Sequence, residues 1–184
     1  MKPVANTTAI ILAGGQSSRM GEDKGLMNLE GQPMIQYIID SVKQIASNII
    51  IIANDKAYEQ FGFEVHEDLV KEKGPLVGIV TGLSASKTEL NWIISCDAPY
   101  VSKDLLLDLM NKLNEFEAVV PEKEEKKHPL IGAYKKSTLP VFKQALALNH
   151  LKIMTVISQL HVLFMDANNF DVLTFRNLNS KKDL

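Results

Sequence analysis

The stretch of residues 9–25, AIILAGGQSSRMGEDKG, passes directly from apolar residues into a polar segment that begins with two glycines. The run AIIL, residues 9–12, predicts a short buried strand that the glycines end. The Gly14-Gly15 pair can turn sharply and lets main-chain N–H groups approach an anion without a Cβ in the way. Because ligands of open α/β sheets lie beyond the carboxyl ends of the strands, this turn is predicted to face a ligand.

Two basic residues after the glycines predict the chemistry of that ligand. Arg19 can form a forked contact with phosphate oxygens, and Lys24 supplies a compact positive charge. Such groups hold a triphosphate and stabilise the charge on its leaving group. The spacing differs from the P-loop pattern G-x-x-x-x-G-K-S/T and from the dinucleotide pattern G-x-G-x-x-G. The alternative to a phosphate site is a solvated turn with incidental charges.

Short apolar runs alternate with helical patterns along the rest of the chain. Strands are predicted at residues 9–12, 49–53, 64–66, 92–95, 118–120, 130–134 and 161–165. Helices are predicted at residues 34–46, 78–86, 103–113 and 138–158, with Ser102 as the N-cap of the third. The mixed-charge residues 122–129 are predicted to form a solvated hairpin or loop. This alternation indicates one α/β domain, with a mostly parallel central sheet and helices on both faces.

Bulk composition narrows the classes of partner. The chain has 184 residues, of which 46% are hydrophobic and 23% charged, and its formal net charge is -2. That length fits one domain, and that charge gives no electrostatic basis for general nucleic-acid or membrane binding. No apolar run approaches the roughly 20 residues of a membrane span. The single cysteine, Cys96, excludes an internal disulfide framework and fits a reducing compartment, so a cytoplasmic protein is predicted.

Carboxylates at two strand ends are candidate metal ligands. Asp97 directly follows a predicted strand, in SCDAPY, and Mg²⁺ is usually held by one or two carboxylates together with substrate phosphates. Asp97 is therefore the first-choice magnesium ligand, although an aspartate that only begins a turn before Pro99 would also fit the pattern. Asp68, in VHEDL, is a second candidate at the same edge, and its alternative is a solvent-facing loop residue.

The remaining reactive side chains and turns give weaker predictions. Cys96 has no base beside it in sequence, so an inert buried thiol is predicted. The four histidines lack metal-ligand spacing, and His128 either lines the crevice or lies in a loop. Residues 73–79, KGPLVGI, form a second turn that opens a helix and either presents N–H groups to a ligand or only starts that helix.

The motifs together resemble a known family. The stretch LAGGQSSRMGEDKG, followed by GQPMIQY, GPLVGI, CDAPY, HPLIGAY and LKIMTVI, is similar to the molybdenum cofactor guanylyltransferases. The similarity covers nearly the whole chain, and Leu-Ala-Gly-Gly in place of Leu-Ala-Ala-Gly favours the guanine-using branch. The resemblance implies a Rossmann-like, three-layer nucleotidyltransferase fold. It also implies an enzyme that joins GMP from GTP to molybdopterin carrying molybdenum and releases pyrophosphate, with Mg²⁺ as cofactor.

The resemblance implies a role for each matched residue. Its nucleotide-binding residues are Leu12, Ala13, Gly14, Gly15, Lys24, Asp68 and Asp97. Lys24 and Asp97 are predicted to be catalytic, together with Arg19 from the phosphate argument above, and Asp97 is predicted to bind the magnesium. Its pterin-side residues are Lys152, Asn177 and Asn179. The single domain, residues 1–184, then divides into a nucleotide-binding half, 1–121, and a pterin-substrate half, 122–184. Transient contact with other cofactor-biosynthesis proteins or with molybdoenzyme targets is also implied.

Three alternatives remain open from the sequence. Another nucleotidyltransferase of the same superfamily, such as a CTP:molybdopterin cytidylyltransferase or a sugar-phosphate nucleotidyltransferase, would differ in its base or its acceptor. A non-catalytic nucleotide-binding protein is opposed by the presence of Arg19, Lys24 and Asp97 together. A pterin carrier that delivers cofactor to apoenzymes has no sequence feature in its favour.

Overall fold

The computed structural model describes residues 3–13, 23–69 and 74–178, and in these it contains ten strands and five α-helices. The strands are β1 Val4–Leu12, β2 Asn28–Leu29, β3 Gln32–Pro33, β4 Ala46–Ile52, β5 Glu64–His66, β6 Leu90–Ser95, β7 Ala118–Lys123, β8 Lys126–Lys127, β9 Ile131–Lys135 and β10 Val162–Asp166. The helices are α1 Met34–Val42, α2 Pro75–Ala85, α3 Lys103–Lys112, α4 Leu139–Ala147 and α5 Ile153–Ile157. Short 3₁₀ helices lie at Lys24–Leu26, Lys56–Phe61, Lys136–Thr138 and Val172–Phe175.

The central sheet is mixed and mostly parallel, as predicted. Its strand order is β10-β7-β9-β6-β1-β4-β5, and β8 pairs with β7 at the side of this path. The β1, β4, β5 and β6 ladders are parallel, and so is the β10–β7 ladder. Strand β9 runs antiparallel to both of its neighbours and so joins the two parallel groups into one sheet. Strands β2 and β3 form a separate two-stranded sheet.

Strand β1 is the centre of a three-layer arrangement. Its residues Ala9 and Ile11 belong to the core on one face, together with the apolar sides of α1 and α3. The alternate residues Ile10 and Leu12 belong to the core on the other face, with α2, α4 and α5. Successive side chains of a strand point to opposite faces, and a parallel strand covered on both faces must be apolar at every position. This is the Rossmann-like layering that the sequence predicted.

Two predicted helices end earlier than their apolar spacing suggested. The helix predicted at 34–46 ends at Val42, because Ala46 already pairs with β1 as the first residue of β4. Ile45 and Ala46 kept the helical spacing because both are buried in the same core as α1. The helix predicted at 138–158 is two helices, since Asn149 adopts a left-handed φ of 57°.

The break between α4 and α5 has the hydrogen bonds of a Schellman C-cap. The His150 N–H donates to the Ala145 carbonyl at 2.8 Å, and the Asn149 N–H donates to the Leu146 carbonyl at 3.1 Å.

Other predicted elements are confirmed with changed bounds. Ser102 caps α3 as predicted, accepting a hydrogen bond from the Leu105 N–H at 3.2 Å. Residues 122–129 contain the β7–β8 hairpin, which turns at Glu124 and Glu125. Among the described residues, no helix is long and apolar enough to cross a membrane.

Candidate functional site

Four neighbouring parallel strands end in one row and define the edge where the site lies. Leu12 of β1 is paired with Ile52 of β4 and Ser95 of β6, and Ile52 is paired with His66 of β5. The pairing continues one residue further, because the Cys96 N–H donates to the Leu12 carbonyl at 2.9 Å. The loops after these strands therefore leave the sheet from the same carboxyl edge, where open α/β sheets bind their ligands.

Asp97 begins the loop after β6 at this edge. The Ala98 N–H donates to the Ser95 carbonyl at 3.2 Å, and the Leu178 N–H donates to the main-chain carbonyl of Asp97 at 2.8 Å. The turn is therefore held both locally and by the C-terminal part of the described chain. The Oδ1 atom of Asp97 is buried and has no hydrogen-bond partner among the described residues.

An unpartnered buried carboxylate oxygen fits a hard cation. Leaving such an oxygen without a partner costs free energy, which an oxygen-seeking ion would offset. Within the described residues, no group of three or more His, Cys, Asp or Glu side chains could hold a metal ion. A cation at Asp97 would therefore complete its coordination with substrate phosphates and water, as Mg²⁺ commonly does. Asp97 fits the magnesium role predicted for it.

Lys24 lies in a tight turn that Asp23 caps. The Asp23 Oδ1 accepts a hydrogen bond from the Gly25 N–H at 3.1 Å, and the Met27 N–H donates to the Lys24 carbonyl at 3.1 Å. The same Oδ1 accepts a 2.5 Å hydrogen bond from the Tyr58 hydroxyl. Burial raises the pKa of Asp23 in spite of these two hydrogen bonds. Sequence reasoning missed Asp23 and Tyr58 as parts of the site.

The pKa of the Cys96 thiol depends on the charged groups of the candidate site. Burial is the main cause that raises the pKa of its thiol, and the charges of Asp97 and Asp23 raise it further. The charge of Lys24 acts in the opposite sense on the same thiol. The charges of these three side chains therefore all act on the Cys96 thiol. The raised pKa keeps the thiol protonated, in agreement with the inert buried cysteine that the sequence predicted.

Asp68 occupies the other end of the row. Its Oδ2 accepts a hydrogen bond from the Asn54 side-chain amide at 3.3 Å, and burial raises the pKa of the carboxyl. A Cβ added at Gly78 in α2 would lie 3.1 Å from Leu12 and 3.7 Å from Asp68 Oδ1, so Asp68 faces the start of α2 and the end of β1. His66 and Ser95, from which the two loops leave, are three strand spacings apart, about 14 Å. The loops that carry Asp68 and Asp97 thus leave the sheet at different strands, and the Asp68 carboxylate lies towards the end of β1.

A cavity of about 170 Å³ brings Asp97 together with Asn177. Its other walls include Lys126, Lys127 and His128 of the hairpin segment and Ile153 at the start of α5. A neighbouring cavity of about 380 Å³ shares Lys126 and His128 and adds Arg176. Sequence analysis found Asn177 and considered His128, but the basic hairpin residues and Arg176 were missed. The mixed charge of the hairpin segment, residues 122–129, is typical of an ordinary solvated turn. Only the fold brings this segment close to Asp97.

The other predicted residues have the following places. Leu12 and Ala13 are buried at the end of β1. Lys152 is exposed and directly precedes α5, next to the cavity-lining Ile153. Gly14, Gly15, Arg19 and Asn179 lie outside the described residues, so their predicted roles stay predictions. His128 is half-buried with its ring 4.7 Å from that of Phe175, and burial lowers its pKa.

A larger cavity of about 450 Å³ lies at the opposite edge of the sheet. Its walls include Ala46 and Glu64, the first residues of β4 and β5. It is therefore at the amino ends of these strands, whereas ligands of open α/β sheets bind at the carboxyl ends. The smaller cavity beside Asp97 is the better candidate for the functional site.

This arrangement of sheet, helices and carboxyl-edge carboxylates is that of the α/β nucleotidyltransferases. The chain belongs to the MobA-like NTP transferase domain family, which it matches over residues 9–162. Nucleotidyltransferases of this family typically use a divalent metal ion. The family assignment agrees with the resemblance found in the sequence motifs.

Individual relatives cover most of the chain. The chain is 39% identical to a probable molybdenum cofactor guanylyltransferase of Flavobacterium johnsoniae over 178 residues, which are 96% of this chain and 94% of that protein. It is 33% identical to the molybdenum cofactor guanylyltransferase of Vibrio cholerae over 184 residues, with 98% and 90% covered. Among solved structures, the molybdopterin-guanine dinucleotide biosynthesis protein A of Archaeoglobus fulgidus matches with a TM-score of 0.82 at 22% identity, covering 96% of this chain and 94% of that one. That likeness supports the fold.

Proposed function

We propose that this protein transfers GMP from GTP to molybdopterin carrying molybdenum, which forms the guanine dinucleotide cofactor and releases pyrophosphate. The observation that carries the proposal is the buried, unpartnered Oδ1 of Asp97 at the carboxyl edge of the sheet. The names of the relatives, molybdenum cofactor guanylyltransferases, support the choice of GTP and of the pterin acceptor.

The proposed reaction is a direct displacement at phosphorus. A terminal phosphate oxygen of molybdopterin attacks the α-phosphorus of GTP and forms the new P–O bond. The bond from the α-phosphorus to the bridging oxygen of pyrophosphate breaks, and both of its electrons leave with pyrophosphate. The nucleophile is already an anionic phosphate oxygen, so no general base is needed. Catalysis then depends on positioning and on stabilisation of the developing charge.

Each part of the nucleotide is assigned to residues of the first half, 1–121. Main-chain groups of Leu12, Ala13, Gly14 and Gly15 would bind GTP, and Asp68 would lie on the nucleotide side. Lys24 and Arg19 would hold the phosphates and stabilise the leaving pyrophosphate. A Mg²⁺ ion held by Asp97 would supply further positive charge at the phosphates.

The second half, 122–184, is assigned to the pterin substrate. Asn177 shares a cavity with Asp97, and Lys152 stands beside Ile153 at its wall. Lys126 and Arg176, in the adjoining cavity, favour an anionic group on this side. Asn179 is assigned to the same side by its place in the sequence. We further propose that the protein works in the cytoplasm and meets other cofactor-biosynthesis proteins or molybdoenzymes transiently.

The experiment that tests this function measures pyrophosphate release with GTP and with CTP, each with and without molybdopterin and Mg²⁺. We expect release that requires molybdopterin and Mg²⁺ and that is faster with GTP. Equal rates with CTP would remove the guanylyl assignment and leave a nucleotidyltransferase of the same superfamily. Nucleotide binding without any release would favour the non-catalytic alternative.

A further inference from the structure

Tyr58 is a fully buried residue whose hydroxyl reaches the candidate site. It lies in the 3₁₀ helix Lys56–Phe61 after β4, and its ring packs in the core beside the ring of Phe61, 6.2 Å away. Burial is the main cause that raises the pKa of its hydroxyl, so the group stays protonated and acts as a hydrogen-bond donor. A buried hydroxyl of this kind needs an acceptor.

The acceptor of this hydroxyl is the carboxylate that caps the Lys24 turn. The Tyr58 hydroxyl lies 2.5 Å from Asp23 Oδ1 and 3.5 Å from the Ala13 carbonyl oxygen. An O–H donor bound to a carboxylate at this short distance forms a hydrogen bond about twice as strong as a neutral one. Ala13 and Asp23 flank residues 14–22, so a single hydroxyl contacts the chain on both sides of that segment.

Gly25 makes room for this contact. A Cβ at that position would overlap the Tyr58 hydroxyl oxygen. The Gly25 N–H also donates to the same Asp23 Oδ1, at 3.1 Å, so one carboxylate oxygen accepts from both the turn and the tyrosine. The Leu26 N–H donates to the Asp23 carbonyl at 3.0 Å. The main chain that follows Lys24 is therefore hydrogen-bonded back to Asp23, and Asp23 is hydrogen-bonded to Tyr58.

We propose that Tyr58 is a positioning residue for triphosphate transfer, acting through Asp23 to fix the place of the Lys24 ammonium group. The proposal rests on the proposed function, in which Lys24 holds the phosphates. Tyr58 is fully buried and is assigned no contact with substrate. It holds the cap of the turn that carries Lys24, and a misplacement of about 1 Å in such a group can cost on the order of 10²-fold in rate.

A double-mutant cycle tests this chain of contacts. Tyr58→Phe removes only the hydroxyl, Lys24→Ala removes the ammonium group, and the double variant removes both. We expect Tyr58→Phe to lower kcat by about tenfold or more in the otherwise wild-type protein, because the ammonium group is then misplaced. In the Lys24→Ala protein the same change should lower kcat by less than about threefold, because residues that act through one another are not additive.

Two further variants separate positioning from folding. Tyr37→Phe is the matched control, since the Tyr37 hydroxyl donates to the Leu29 carbonyl at 2.8 Å and should leave kcat unchanged. Asp23→Asn retains a side-chain oxygen for the cap and for Tyr58 but removes the carboxylate charge. It should lower kcat less than Lys24→Ala does and should have little further effect when combined with Lys24→Ala, so it keeps the proposal open to test if Tyr58→Phe does not fold. Thermal unfolding is measured for every variant.

Binding measurements on the same variants test this proposal separately from the proposed function. The cycle is repeated on the Kd for Mg²⁺-tripolyphosphate, a probe without base or pterin, measured by calorimetry. Coupled effects of Tyr58 and Lys24 on this Kd would support positioning even if the wild type released no pyrophosphate from GTP. Additive effects, a Tyr58→Phe protein equal to wild type, or no binding of the probe by the wild type would overturn it.

Discussion

At the scale of single residues, the candidate site is marked by one buried carboxylate oxygen without a hydrogen-bond partner in the described part of the chain. The Oδ1 of Asp97 is buried without a partner among the described residues, although most buried polar atoms are hydrogen-bonded. A cation bound at this oxygen would offset the free energy lost in this way. We therefore expect replacement of such a residue to reduce catalytic activity much more than it reduces the stability of the free protein.

Asp97→Asn tests the metal role of this carboxylate. Asparagine retains the shape and forms a turn before Ala98 equally well, but it removes the negative charge that a cation needs. We expect normal thermal unfolding, weak Mg²⁺ binding in the presence of GTP and loss of most transfer activity. Turnover is measured against Mg²⁺ concentration, with the exposed Asp108→Asn in α3 as the matched control. A variant with wild-type rate and wild-type magnesium dependence would make Asp68 the residue to test.

Lys24→Ala tests the charge on the transferred phosphates. Removal of one group that stabilises transition-state charge commonly costs about 10²-fold or more in rate. We expect a loss of that size with little change in the midpoint of thermal unfolding, because the lysine lies in a turn at the sheet edge. Lys143→Ala, at an exposed position of α4, is the control. Turnover near that of the wild type would contradict a role of Lys24 at the phosphates.

His128 gives a prediction for stability against pH. Burial, helped by the charge of Lys126, lowers the pKa of His128 below its ordinary value of 6.5. The folded state then binds fewer protons than the unfolded state, so this residue costs stability as the pH falls through 6.5 towards the lowered pKa. We expect His128→Gln to gain in unfolding midpoint relative to the wild type between about pH 7.5 and 5.5. A difference that is constant with pH would contradict this.

At the scale of elements, the strands and helices follow from apolar spacing wherever one core buries the whole run. The central strands were predicted because β1, β4 and β6 are apolar at consecutive positions, as burial on both faces requires. Spacing failed where burial continued after the helix had ended, as at Ile45 and Ala46. It failed again at Asn149, whose left-handed φ ends α4 while the residues around it still match a helix.

Gly82→Ala tests how closely α2 packs on β1. A Cβ at Gly82 would overlap Cγ2 of Ile10, which is fully buried and paired with a strand on each side. Alanine gains about 1 kcal/mol in helix propensity, whereas overpacking a core costs about 1–3 kcal/mol. Because Ile10 cannot move away, we expect a net loss of about 1 kcal/mol in the free energy of unfolding, measured with urea. Ser84→Ala, exposed on the same helix, should instead be neutral or stabilising.

At the scale of the whole molecule, the site unites segments that are far apart in sequence. Motif spacing could propose Asp97, Asp68 and Lys24 as candidates, because each lies shortly after a strand or in a glycine turn. It could not identify Tyr58 or the basic hairpin, because their roles depend on which side chains the sheet order brings beside Asp23 and Asp97. Antiparallel β9, which joins the two parallel groups, is the element that brings the hairpin to that edge.

The C-terminal segment supplies the last contact of this kind, at Leu178. Its side chain is buried with Met27, Leu29 and Met34, and its N–H donates to the Asp97 carbonyl at 2.8 Å. Leu178 thus links the segment from Met27 to Met34, which follows Lys24, to the turn that carries the proposed metal ligand Asp97. Truncation of this side chain should loosen both contacts at once.

We therefore expect Leu178→Ala to lower the free energy of unfolding by about 2–5 kcal/mol, the usual cost of removing a buried leucine side chain. Since the Asp97 turn loses its anchor, the Mg²⁺ concentration needed for half-maximal turnover should also rise at temperatures where the variant remains folded. Urea unfolding and magnesium titrations are made in parallel, with Leu148→Ala as control, because Leu148 is 58% exposed and should change neither. A Leu178→Ala protein that is destabilised but keeps the wild-type magnesium requirement would show that the C-terminal segment stabilises the fold without holding the Asp97 turn.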